Sequence, residues 1–265
     1  MTTLMSTTLP STLRLLTPSL ALLAVTLFGV SSCDSDDDDD SDPALAVAQI
    51  DPAFAGVTFI NLMTAPAGRQ SELADLLTEA MEEEASLVDE FVSASVHESL
   101  DNDYLLNYAR WSSSVGVDTV VARLGRGLTP KLAEVFAATS PEFHPYRVYS
   151  QTSVVEEAVV IGGDAWTMIN FLVPLDSASQ SEVAEALSRA MREEALGQPG
   201  FRNASVHVSL DNDYVVNYAQ WDDQASVDAM VARVAAGDAP LLARAFSIAD
   251  PEFHPYGEIV TTVPD

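Results

Sequence analysis

The sequence predicts an α+β protein: two tandem ferredoxin-like (βαββαβ) domains that cover each other within one chain. Two observations carry this. The body of the 265-residue chain is written twice, so that Gln70 to Tyr146 aligns without a gap on Gln180 to Tyr256. Each copy also reads in the order β-α-β-β-α-β, the split βαβ arrangement. A third point is physical. One such domain leaves a sheet face uncovered, and a second copy in the same chain supplies the cover that a single-copy protein would find by dimerising.

The elements follow in order. "VTFINLM" (57–63) and "WTMINFLV" (166–173) are short, β-rich runs. "SELADLLTEAMEEEA" places Leu73, Leu76, Leu77, Ala80 and Met81 at helical spacing. Its counterpart opens with Ser179 and Glu182 at capping-box spacing. "FVSASVHESL" and "YLLNYARW" are strands joined by "DND", a turn of residues that tolerate unusual φ. "SVGVDTVVARLGRG" and "SVDAMVARVAAGDAPLLARAF" are helical, each region being broken at a proline. "HPYRVYSQTSVV" and "HPYGEIVTTV" supply the closing strands, each led in by an identical "PEFHPY" (141–146, 251–256). The domains expected are 51–152 and 166–262, with a linker over 153–165.

Ahead of the first domain lies a different kind of sequence. Residues 13–32 are apolar and end in small residues, and Cys33 is the single cysteine of the chain. No internal disulfide is therefore possible. "VSSC" (30–33) resembles a bacterial lipobox. Residues 1–32 are thus expected to be a lipoprotein signal peptide, with Cys33 lipidated; an uncleaved anchor or an ordinary signal peptide is the alternative. "DSDDDDDSDP" (34–43) cannot pack, because its charges repel. Residues 33–50 are expected to be an acidic tether, on a protein anchored in the bacterial envelope and facing the periplasm or exterior.

The formal net charge is -28, with 12 basic against 40 acidic residues. That excludes a nucleic-acid partner, which needs clustered lysine and arginine to neutralise phosphate. Membrane contact is expected only through the lipid. The chain is expected to be monomeric, because its two domains pair with each other. The four histidines lack the spacing of a metal site, so no metal is expected.

The hairpin is the most informative stretch. "ASVHESLDNDYLLNYARW" (94–111) and "ASVHVSLDNDYVVNYAQW" (204–221) differ only at the pairs Glu98/Val208, Leu105/Val215, Leu106/Val216 and Arg110/Gln220. Strand alternation puts Asn107, Ala109 and Trp111 on one face, and Tyr104, Leu106, Tyr108 and Arg110 on the other. The first and third strands of such a domain are neighbours. Asn61 is then expected beside Asn107, and Asn170 beside Asn217.

These features together resemble the antibiotic biosynthesis monooxygenase family, across nearly all of both copies. They are the first-strand "IN", the "SxSxH" second strand, the "NYAxW" third strand and the aromatic last strand. The resemblance implies that the two domains pack as an intramolecular dimeric α+β barrel, with a pocket between sheet and helices in each copy. It also implies oxygenation of a small phenolic or hydroquinone-like molecule without flavin, haem or metal. In phenol-oxidising members an asparagine and a tryptophan four residues apart hold the substrate; Asn107 with Trp111 and Asn217 with Trp221 match. Asn61 and Asn170 assist, and His97 or His207 is the candidate base. The pattern departs in two ways. Val117 and Val227 stand where those members have a tyrosine, and no histidine occupies the helix used by haem-degrading relatives. A non-catalytic ligand-binding or interaction module with the same barrel is therefore the second expectation.

Overall fold

The computed structural model describes residues 48–101, 104–139, 141–155, 159–175 and 178–264, with Glu258 as backbone only. The expected signal peptide, Cys33 and most of the expected acidic tether lie outside these residues. In chain order the strands are β1 (Gln49–Ile50), β2 (Val57–Thr64), β3 (Phe91–Ser99), β4 (Tyr104–Trp111), β5 (Pro145–Ser153), β6 (Val159–Val160), β7 (Trp166–Pro174), β8 (Phe201–Ser209), β9 (Val215–Trp221) and β10 (Ala249–Thr262). The helices are α1 (Gln70–Ala80), α2 (Ser114–Gly125), α3 (Pro130–Thr139), α4 (Gln180–Ala190), α5 (Gln224–Ala236) and α6 (Pro240–Ser247).

Eight antiparallel strands form a closed barrel in the order β10-β3-β4-β2-β5-β8-β9-β7. Within each copy the strand order is that of a ferredoxin-like sheet. Between copies, β5 pairs with β8 from Tyr146↔Ser209 to Ser153↔Asn203, and β10 pairs with β3 from Tyr256↔Ser99 to Thr262↔Ala94. Each copy's last strand therefore closes the other copy's edge.

Local chemistry explains the element ends. Ser179 caps α4 in a full capping box with Glu182. Pro240 stands at the first turn of α6, and Gly237 at φ 84° ends α5 in the left-handed conformation. The long first helix expected in each copy is instead α1 or α4 followed by one π-helical turn, Met81–Ala85 or Met191–Ala195. Inside that turn Glu84 and Glu194 are buried. Glu194 accepts the amides of Leu241 and Leu242 at 2.8 and 2.9 Å, and Glu84 those of Lys131 and Leu132 at 2.9 and 3.0 Å. A carboxylate at a helix N-terminus meets unpaired amides and the positive end of the dipole. The wide turn lets Met191, Glu194 and Ala195 all face inward.

Three cores result. One lies under the helices of each copy, and the third fills the barrel itself with Tyr108, Tyr146, Tyr218 and Tyr256 among its aliphatic residues. Two expected boundaries move. Ile50 and Ala48 are fully buried in the barrel core rather than part of a tether, and β1 pairs with β6, inside the expected linker. This ribbon plugs one end of the barrel: Arg110, opposite Thr58 at the start of β2, donates to the Gln49 carbonyl at 2.8 Å. Ala48, Ile50, Val159 and Ile161 are buried in the barrel core there.

Inside the barrel the copies are tied by two histidine–tyrosine pairs. The Tyr108 hydroxyl and His207 Nε2 share a hydrogen bond of 3.0 Å. His97 Nδ1 donates to the Ser95 carbonyl at 3.1 Å, which leaves Nε2 to accept the Tyr218 hydroxyl at 3.2 Å. Burial pushes both imidazoles down to about 4, so both are neutral at pH 7. Between the ordinary value of 6.5 and about 4, the unfolded chain binds protons that the folded barrel refuses. Stability is complete above that window and is lost as pH falls through it, by roughly 3 kcal/mol per histidine at most. Urea unfolding followed from pH 7 to pH 5 should show this loss, and the His97→Gln/His207→Gln variant should flatten it.

Candidate functional site

A cavity of about 430 Å³ lies in the second copy, between the outer face of the sheet and its helices. Strands β7 and β9 give its floor: Met168, Asn170, Asn217, Ala219 and Trp221. The π-helical turn adds Met191, α5 adds Met230 and Val234, α6 adds Leu242 and Phe246, and β10 adds Phe253. No titratable side chain is among the lining residues.

The polar content is concentrated in one pair. Asn170 and Asn217 are direct cross-strand partners, 7% and 3% exposed. Both carbonyl oxygens are buried without a hydrogen-bond partner. The Asn217 amide nitrogen approaches only the Met191 sulfur, at 3.9 Å. A buried amide left unpaired costs about 1–3 kcal/mol, so two side by side in an apolar cavity mark a place shaped for something else. Trp221 is held against them edge-to-face by Phe201, with ring centroids 5.0 Å apart.

The first copy repeats the polar pair. Asn61 faces Asn107 across β2 and β4, both carbonyls again lack partners, and the Asn107 amide lies 3.7 Å from the Met81 sulfur. Trp111 is packed by Phe91 with centroids 5.3 Å apart. The apolar lining differs: Phe59 stands where the second copy has Met168, Val120 replaces Met230, and Leu124 replaces Val234. Phe59 packs into the first copy's helix-side core.

His97 and His207 are not in these sites, which corrects their assignment as the base. His97 pairs with Leu106 and His207 with Val216, and both side chains enter the barrel, on the opposite face of the sheet from Asn107 and Asn217. Strand alternation is the reason: the asparagine sits one residue away from the histidine's cross-strand partner. Arg233 on α5 is not among the lining residues; it donates to the Glu194 and Asp238 carbonyls at 2.9 and 3.0 Å.

Met191 and Phe253 belong to the cavity although their sequence context pointed to core packing and to a strand lead-in. The signal available was their recurrence as Met81 and Phe143 at equivalent positions. What hid Met191 was the π-helical turn, which periodicity does not reveal; Phe253 is placed by the pairing of β10 with β7, a contact distant in sequence.

This architecture defines a class: an α+β barrel of two βαββαβ units with a cavity between sheet and helices in the second. Residues 168–239, which include Asn170, Met191, Asn217 and Trp221, match the model of the antibiotic biosynthesis monooxygenase family. The chain resembles that family, in the second copy by sequence and in the whole barrel by fold. An anthrone oxidase-like protein is similar at a TM-score of 0.64 and 21% identity, over 78% of this chain and 92% of that one. A protein from Fusobacterium nucleatum subsp. nucleatum with a provisional monooxygenase name gives a TM-score of 0.53 at 6% identity, over 79% of this chain and 95% of that one. At such identities the likeness is one of fold. No curated protein sequence matches the chain significantly.

The orphan carbonyls make a stability prediction. Asn170→Leu and Asn217→Leu keep shape and remove an unpaired acceptor, so each should raise the free energy of unfolding, by about 1 kcal/mol. Guanidinium unfolding measures it. A loss of stability would mean that these amides are structural.

Proposed function

We propose that the second copy binds a small planar aromatic molecule carrying a hydroxyl, and that this molecule is oxygenated there by dioxygen without flavin or metal. The single observation that carries this is the pair of unpartnered Asn170 and Asn217 carbonyls in an otherwise apolar cavity. A phenolic O–H is the neutral donor that satisfies such an acceptor, and the apolar walls take the ring. Trp221 and Phe246 offer aromatic surfaces to it.

For a phenol with a free para position the reaction balances simply. The O–H and para C–H hydrogens leave with one oxygen atom as water, and the other oxygen atom becomes the second quinone carbonyl. The residues contribute orientation and a water-poor surrounding; the asparagine amides hold the oxygen as its O–H bond weakens. The resemblance to a monooxygenase family and to an anthrone oxidase-like fold supports this choice of chemistry.

A second reading is binding without turnover. It is favoured by one observation, that no titratable side chain lines the cavity to take the phenol's proton. Tryptophan fluorescence during titration with anthrones and hydroquinones, with oxygen uptake in parallel, separates the two. Quenching lost in Trp221→Phe, with oxygen uptake lost in Asn217→Leu, is the expected result. Quenching without uptake establishes the binding module, and no response from any of these ligands counts against both.

The lipobox-like "VSSC" supports a further part of the proposal, that the chain is exported and anchored through Cys33. Mass spectrometry of the membrane fraction should find a mature N-terminus at Cys33 carrying a diacylglycerol. Cys33→Ala should abolish it.

A further inference from the structure

The β1–β6 ribbon plugs one end of the barrel, and the other end is open. There β2, β4, β7 and β10 leave a cavity of about 460 Å³. It lies on the pseudo-twofold between the copies: Tyr104 and Glu142 of the first copy face their counterparts Tyr214 and Glu252 of the second. The two halves have diverged. Phe171 stands opposite Leu62, and Asp250 is a further carboxylate from the second copy alone. None of the lining residues is a lysine or arginine.

The walls are held in place by contacts between the copies. Tyr214 donates to Glu142 at 3.0 Å. His254 is held between Asp101, at 2.8 Å from Nδ1, and Glu252, at 3.0 Å from Nε2. His144 Nδ1 lies 2.6 Å from Asp211 and its Nε2 3.8 Å from Glu142, and its ring is tilted against Tyr214 with centroids 4.6 Å apart. Below them, the Tyr256 hydroxyl is fully buried and has no hydrogen-bond partner. Burial first, then the charges of Asp101 and Glu252, push that phenol well above its ordinary value. Burial, with the Glu142 hydrogen bond, pushes Tyr214 up to about 12. Among the described residues, the basic groups in contact with these carboxylates are the imidazoles of His144 and His254, two against Asp101, Glu142, Asp211, Asp250 and Glu252, so acidic groups are in excess at the mouth of the pocket.

We propose that this open end of the barrel binds a small organic ammonium ion, with its charge between Glu142 and Glu252 and its carbon skeleton against Phe171, Tyr104 and Tyr214. Aromatic faces attract an ammonium group, and the apolar half of the walls takes methylenes. A bare metal ion fits less well, because it needs several converging oxygens rather than ring faces. The adjacent His144, Asp211 and Asp213 have ligand atoms within 4.8 Å of one another, yet His144 Nδ1 is already engaged by Asp211. The site is on the opposite side of the sheet from the Asn170–Asn217 cavity and does not depend on what that cavity binds.

Isothermal titration calorimetry of the full chain with putrescine is the test, at roughly 150 mM salt to screen the general attraction of an acidic protein for cations. One saturable site per chain is expected. The Glu142→Gln/Glu252→Gln variant should weaken it by about tenfold or more, as expected when a charge pair within a pocket is lost. Phe171→Leu, which makes the wall symmetrical and removes no charge, should weaken it by a smaller factor. Thermal melts establish that both variants fold. Asn217→Leu should bind putrescine like the parent. Linear heats without saturation, equal affinity in the charge variant, tighter binding of calcium alone at the same site, or loss of binding in Asn217→Leu would each overturn the proposal.

Discussion

The structure depends on the exchange of sheet edges between the two copies. Each copy alone would present β3 and β5, or β8 and β10, as unpaired edges with a row of unsatisfied amides and carbonyls. Pairing β5 with β8 and β10 with β3 satisfies all four edges at once and closes the barrel. Only then does the inner face of both sheets become a core. The histidine–tyrosine pairs inside it, each joining one copy to the other, exist because of that closure. Covalent linkage of the copies spares the association entropy that two separate chains would lose.

Edge exchange also explains why the hairpin is nearly identical in the two copies. Its residues serve three surfaces simultaneously. Asn107, Trp111 and their counterparts face the helices. His97, Tyr108 and their counterparts fill the barrel. Asp101 and Asp211 reach His254 and His144 of the opposite copy. The identical "PEFHPY" is the other half of that last contact, and alternation divides its work: Phe253 enters the helix-side cavity, while Glu252 and His254 face the barrel mouth. A residue constrained from several directions has few acceptable substitutes.

The two faces of one sheet thus hold two different chemistries. In the second copy the outer face is apolar around the Asn170–Asn217 pair, and the π-helical turn, α5 and α6 stand over the cavity there. Glu194 fixes the start of α6, which delivers Leu242 and Phe246, while the same π-helical turn delivers Met191. The inner face ends in carboxylates and tyrosines. Backbone strands separate the two, so a group on one face cannot act on a ligand at the other, which is why the buried histidines have no part in the outer cavity.

The sequence by itself determined the duplication, the βαββαβ order, the capping box at Ser179, the proline breaks and the shared face of Asn217 and Trp221. All of these rest on local periodicity and turn chemistry, which are written in neighbouring residues. Cross-strand partnership of Asn170 with Asn217 was also legible, because ferredoxin-like order makes the first and third strands adjacent. Only the tertiary structure decided which face each histidine occupies relative to the cavity. It alone decided that β1 and β6 plug the barrel, that the helix widens at Met191, and that Asp101 and His254 meet across the copies. Those outcomes depend on groups separated by tens to hundreds of residues, brought together by barrel closure, and no local pattern encodes such a meeting.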